Sequence, residues 1–312
     1  MTWIDLGTFY RTRQNIIPLN NAVALTRGNP AGTVALFSHF SPAQRSFIGL
    51  LENEAGFPAL IGQVEIPHGS PSARLTYYIS QNEKESELLP YLLEGLIKQA
   101  GLMGATNVTA ELNENHPAFE SFRRSGFSVY ARQRIWRMPS NFPKISQQVE
   151  NWRDINEMDR IYMQSLVQNL VPPMVQRVEG LPHAETLGLV YLERGERYGL
   201  VDCQYGLKGI FLQPFIHPEV GDTRVVFQQL MNELPSIFDR PVYIAIRSYQ
   251  AWLERDLEAL GAEASEPTVL MVKHMGLQSR AALKEASWAA LEKNNPQPSP
   301  THYLTSARKK VD

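Results

Sequence analysis

Asn107-Val-Thr-Ala-Glu-Leu-Asn-Glu-Asn-His-Pro-Ala-Phe-Glu-Ser-Phe-Arg-Arg-Ser-Gly-Phe127 holds, in one run, a strand, a polar turn, a short amphipathic helix and its stop. Residues 107–112 alternate apolar and polar side chains, the period of a half-buried strand. Pro117 to Ser125 then carries apolar residues at helical spacing, and Gly126 ends it because glycine alone enters the left-handed region without penalty. The same script recurs about 135 positions later, where Pro241-Val-Tyr-Ile-Ala-Ile246 leads to a helical Ala251 to Leu260 ending at Gly261. Upstream, Arg74-Leu-Thr-Tyr-Tyr-Ile-Ser80 and the helical Leu88 to Ala100 match Gly209-Ile-Phe-Leu-Gln-Pro-Phe-Ile216 and the helical Thr223 to Leu234. Downstream, Gln133 to Met138 matches Thr268 to Met275. Agreement of offset over several elements implies two copies of one α/β unit in tandem, since a period this long is too great for a solenoid.

The remaining segments fill out each copy. Ala22 to Arg27, Ser46 to Glu52 and Pro58 to Ile66 read as strands before Arg74, and Val149 to Arg153, Leu187 to Leu192 and Tyr198 to Gln204 as strands before Gly209, with a helix from Glu157 to Leu170. Each copy is then an antiparallel meander followed by a strand-helix-strand crossover, a mixed α/β sheet. The expected division is a domain at 1–140, with 1–21 as an extension lacking a counterpart, a second at 147–276, and a helix with a tail at 277–312. The joint falls at Pro139-Ser-Asn-Phe-Pro-Lys-Ile-Ser146.

Composition narrows the function. With 30 Lys and Arg against 32 Asp and Glu in 312 residues, no global basic surface asks for nucleic acid. The single cysteine, Cys203, excludes an intrachain disulfide and a multi-cysteine zinc site, and no metal site is expected. No run approaches eighteen apolar residues, so the expectation is a cytoplasmic protein without a membrane partner. No nucleophile elbow, phosphate-binding glycine-lysine loop or His-Glu-x-x-His spacing is present.

The element order, and above all Leu112 to Phe127, resembles the GNAT superfamily of acyl-coenzyme A dependent N-acyltransferases. The resemblance implies two tandem GNAT-like domains and acetyl-coenzyme A, or another acyl-coenzyme A, as cofactor. It implies transfer of the acyl group to a small-molecule or peptide amine. Asn115, eleven residues before Gly126, takes the position of the family's asparagine that holds the pantetheine arm, although Asn before His116-Pro117 also suits a helix N-cap. The fourth-strand residues Tyr78, Ile79 and Ser80 would line the arm and polarise the thioester, with Ile216 in the same role in the second copy. Phe122 takes the position of the family's proton-donating tyrosine and has no proton to give, as does Leu257. For a base the first copy offers Glu65 and Glu111, which otherwise read as solvent-facing strand carboxylates.

The departures weigh as much. The family's glycine-rich pyrophosphate loop corresponds to Gln81-Asn-Glu-Lys-Glu-Ser-Glu-Leu-Leu-Pro90, where registering Leu92-Leu93 with the family's helix puts Glu87 and Leu89 at the two glycine positions and Glu83, Glu85 and Glu87 where the two phosphates would lie. Carboxylates suit an unoccupied helix N-terminus and repel a phosphate. In the second copy Ile216-His-Pro-Glu-Val-Gly-Asp-Thr223 offers Gly221 and a Thr223 cap that could present N–H groups. Three readings stay open: a divergent acyltransferase, a GNAT-fold protein that binds a ligand or partner without catalysis, and a tandem-type aminoacyl or peptidyl transferase.

Overall fold

The computed structural model describes residues 16–28, 44–52, 58–67, 70–80, 87–140, 142, 151–179, 187–234 and 240–275. Glu83, Glu85, His68, the segment 1–15, the joint from 143 to 146 and the helix and tail after 276 lie outside them. The chain forms two compact units.

The first unit holds β1 (Ile16–Pro18), most of α1 (Asn21–Arg27), β2 (Gln44–Glu52), β3 (Pro58–Pro67), β4 (Ser72–Ser80), α2 (Leu89–Leu102), β5 (Asn107–Asn113) and α3 (Phe119–Arg124). Strands β2, β3 and β4 are antiparallel neighbours, and β4 and β5 are parallel. Helix α2 buries Leu89, Leu92, Leu93, Leu96 and Ala100, one face at helical spacing. Gly49 and Gly62 lie opposite each other across β2 and β3, and a Cβ on either would come within 3.0 Å of Leu96, so the glycine pair lets the helix settle onto the sheet. Ala22 to Arg27, expected as a strand, is helical: the Asn20 side chain accepts the Val23 N–H at 3.2 Å, a cap that favours a helix over a β run. Helix α3 stops at Gly126, whose φ is +84°.

The second unit holds β7 (Trp152–Asp154), α4 (Arg160–Leu170), α5 (Pro173–Glu179), β8 (Gly188–Glu193), β9 (Glu196–Tyr205), β10 (Ile210–Ile216), α6 (Thr223–Glu233), β11 (Val242–Arg247), α7 (Glu254–Ala259) and the two-residue β12 (Glu263–Ala264). A short 3-10 turn, Ser248–Leu253, precedes α7. Arg194 and Gly195 both have positive φ, 54° and 85°, as the tight turn between β8 and β9 requires. Strands β7 to β10 are antiparallel in sequence order, and β10 and β11 are parallel. The core gathers Trp152, Leu212, Ile216, Phe227, Leu230, Ile244, Ile246 and Leu257. Helix α5 begins at Pro173, and proline suits the first helical position because the N–H it lacks would have no intrahelical partner there.

The strands Ser128–Arg137 and Thr268–His274 are divided between the units differently from the segments that precede them in the sequence. From Tyr130 onward, β6 (Ser128–Arg137) lies in the second unit, antiparallel to β11 with Gln133 opposite Arg247 and Arg137 opposite Tyr243. From Leu270 onward, β13 (Thr268–His274) lies in the first unit beside β5, and the Met275 N–H reaches the Thr106 carbonyl at 3.0 Å. No helix among the described residues is long and apolar enough to cross a membrane.

Candidate functional site

Each unit contains a parallel strand pair that begins in register and then separates. In the first unit Ser72, Ala73 and Arg74 face Asn107, Val108 and Thr109; β4 then runs on to Ser80 and β5 to Asn113 without further pairing. The backbone groups exposed by this divergence must find partners elsewhere. They find them in the chain's own N-terminal segment. Strand β1 pairs antiparallel with β4, Ile16 to Ile79, Ile17 to Tyr78 and Pro18 to Tyr77. The Leu19 N–H donates to the Thr76 carbonyl at 2.9 Å, the Glu111 N–H donates to the Leu19 carbonyl at 2.8 Å, and the Asn21 N–H donates to the Glu111 carboxylate at 3.1 Å.

The residues singled out from the sequence in this copy are held by that arrangement. Tyr78 and Ile79 are buried between β3 and β1, and Ser80 ends the strand at intermediate exposure. Burial pushes the Tyr78 hydroxyl well above its ordinary value. Glu65 does not face solvent: it is 6% exposed and lies across from Arg74. Directly paired residues project to the same side, so Glu65, Arg74, Thr109 and Glu111 share one face of the sheet, but Glu65 and Glu111 stand two strands and two residues along the strand apart, more than about 10 Å. Asn115 is exposed in the turn after β5, and its N–H donates to the Asn113 side chain at 2.8 Å. It does not cap a helix, because α3 begins only at Phe119. Phe122 is fully buried, edge-on to Phe127 with ring centroids 5.2 Å apart. Glu87 is exposed just before α2.

The second unit repeats the divergence and fills it by another device. Ile210, Phe211 and Leu212 face Val242, Tyr243 and Ile244, and beyond them the side chain of Gln250 enters. Its Oε1 accepts the Ile216 N–H at 3.0 Å and its Nε2 donates to the Pro214 carbonyl at 2.9 Å, with the residue 1% exposed. A carboxamide thus meets the strand edge as a peptide of a neighbouring strand would. Gln250 stands at the same repeat offset from Gly261 as Asn115 from Gly126, so the repeat alone could have found it.

The helix N-terminus beside this divergence is supplied with carboxylates. Asp222, not Thr223, is the N-cap: it accepts the Arg224 N–H at 2.9 Å and pairs with the Arg224 guanidinium at 3.1 Å. Thr223 is the first helical residue, 6% exposed, and its hydroxyl donates to Asp256. The Gly221 N–H is directed to Glu193 at 3.3 Å. Three carboxylates therefore occupy the positions where N–H groups and helix dipole would otherwise receive a phosphate.

At the end of β11 a polar cluster escaped the sequence reading. Arg247, 6% exposed, donates to Gln133 at 2.7 Å and pairs with Glu179 at 2.8 Å, and the Tyr130 hydroxyl donates to the same Glu179 oxygen at 2.9 Å. The Arg247–Gln133 bond crosses 114 residues and the cluster has no local signature. Cys203 is 3% exposed, and burial pushes its thiol up to about 12, which removes the thiolate as a nucleophile near neutral pH. His116 and His217 each accept an N–H two residues ahead, from Ala118 at 3.1 Å and Glu219 at 3.2 Å, and so serve their turns.

No family model and no curated protein matches this sequence. Solved structures do. A GCN5-related N-acetyltransferase from Kribbella flavida aligns over 78% of this chain and 94% of its own, with TM-score 0.50 and 10% identity. One from Sphaerobacter thermophilus aligns over 72% and 79%, with TM-score 0.49 and 13% identity. A tandem GNAT protein from the clavulanic acid biosynthesis pathway aligns over 87% and 95%, with TM-score 0.48 and 13% identity. The fold is that of the GNAT acetyltransferases.

Proposed function

We propose that this GNAT-fold chain works as a ligand-binding or protein-interaction module and leaves both strand divergences closed to acyl-coenzyme A. The observation that carries the reading is the segment Ile16 to Asn21, which takes up the β4 edge at Thr76 to Ile79 and the Glu111 N–H, the groups a cofactor arm would use in the first copy. Gln250 does the same for Pro214 and Ile216 in the second, and Asp222, Glu193 and Asp256 give its helix N-terminus a charge that opposes a pyrophosphate.

Calorimetric titration of the full chain with acetyl-coenzyme A tests this directly. The expected result is no saturable heat and no rise in melting temperature; a ligand at a hundredfold excess over its Kd would add about 2.7 kcal/mol of apparent stability. Saturable binding overturns the reading. It would favour N-acyl transfer to an amine in the second unit, where a single side chain, Gln250, bridges the divergence and could rotate away.

A further inference from the structure

The second unit has a cavity of about 290 Å³ between α4 and the ends of β9 and β10, lined by none of the residues that bridge the strand divergence. It lies at the lower end of the range for small-molecule sites. Its shape depends on a bulge. Along the β8–β9 ladder Tyr191 faces Gly199 and Leu192 faces Arg197, leaving Tyr198 unpaired on that side. A bulge of this kind re-aims side chains, and here both Arg197 and Tyr198 line the cavity.

The walls carry charge of both signs. On the α4 side, the Arg197 Nε is committed to Asp159 at 2.7 Å, which fixes the guanidinium, and its terminal nitrogens make no ion pair among the described residues. Tyr162 lines the cavity beside it, with its hydroxyl buried in the wall. Glu196 and Glu219 line it as well, Glu196 accepting the Tyr198 hydroxyl at 3.4 Å and Glu219 lying 4.0 Å from the His217 ring nitrogen, with the Tyr198 ring edge-on to His217 at 6.2 Å. The Tyr198 hydroxyl is held above its ordinary value first by the charge of Glu196, with Glu193 and Glu219 adding to it, which marks this side as electronegative.

We propose that this cavity binds a small zwitterionic α-amino acid, its carboxylate on Arg197 and its ammonium toward Glu196, Glu219 and the Tyr198 ring. A planar guanidinium suits a carboxylate, and carboxylates beside an aromatic face suit an ammonium. A ligand of one sign would satisfy one wall and face like charge on the other.

The test is calorimetric titration of the full chain with L-alanine, with acetate and methylammonium as single-charge controls and no acyl-coenzyme A present. L-alanine should bind saturably, each control at least about tenfold more weakly. Glu196→Gln and Glu219→Gln should each weaken L-alanine by about tenfold or more, the effect of one charge-assisted contact. The proposal is overturned if L-alanine does not bind at 10 mM (about the weakest affinity such a site would have). It also falls if methylammonium or acetate binds equally well, or if both variants bind L-alanine like the parent. None of these outcomes bears on whether acetyl-coenzyme A enters either divergence.

Discussion

Replacing Gln250 with Leu keeps most of the side-chain volume and removes the carboxamide that bridges Pro214 and Ile216. The Ile216 N–H, bonded at 3.0 Å, and the Pro214 carbonyl, bonded at 2.9 Å, then lose their partner at a site 1% exposed, where water has no ready access. A buried backbone group left without a partner costs about 1–3 kcal/mol, so the pair costs about 2–6 kcal/mol. Relief from burying the amide itself returns part of this, and the expected loss is about 2–4 kcal/mol. Urea denaturation followed by tryptophan fluorescence reads the effect, since Trp136 and Trp152 are both buried in the second unit. With a urea slope of about 2 kcal/mol/M, the midpoint should fall by about 1–2 M at unchanged slope. A fall of less than about 0.3 M would mean that these groups have another partner, and the account of a closed second divergence would fail with it.

Three further outcomes are expected. Leu19→Ala, at a residue 2% exposed, should destabilise the first unit by about 2–4 kcal/mol and raise the exchange rate of the Glu111 amide hydrogen, which bonds the Leu19 carbonyl; unchanged exchange would contradict the filling of that divergence. Asp159 is held well below the usual carboxylate range chiefly by its hydrogen bond to Arg153, with the Asn156 N–H and Arg197 adding to it. A lowered folded-state value gives stability that is present above the unfolded value near ~4 and is lost as pH falls through the folded one. Asp159→Asn should therefore cost about 2–3 kcal/mol at neutral pH, less than a fully buried pair because both arginines are about one-third exposed, and the gap to the parent should shrink on acidification; a constant gap would refute the linkage. Gly126→Ala, at φ +84° with the Lys273 ammonium where the methyl would go, should cost about 1–2 kcal/mol in thermal unfolding, more than Gly104→Ala at φ +93°, where nothing lies within 4 Å of the added carbon.

What could be read from the sequence was what neighbouring residues decide among themselves. The apolar face of α2, the alternation of β5 and the left-handed stops at Gly126 and Gly261 follow from side-chain period and from the conformational range of glycine. Local competition already blurred part of this: Asn20 turned an apparent strand into α1, and Asp222 took the cap assigned to Thr223, because a short polar side chain one position earlier reached the free N–H first. Tertiary structure alone decided which partner each closing strand took, since any strand with an apolar face can pair with either sheet edge and nothing local in β6 or β13 names the strand beside it. It decided as well that both divergences are filled from within. Leu19 and Gln250 satisfy backbone groups far away in sequence, and a hydrogen bond that closes such a loop leaves no periodicity behind, only a buried carbonyl or N–H that requires a partner.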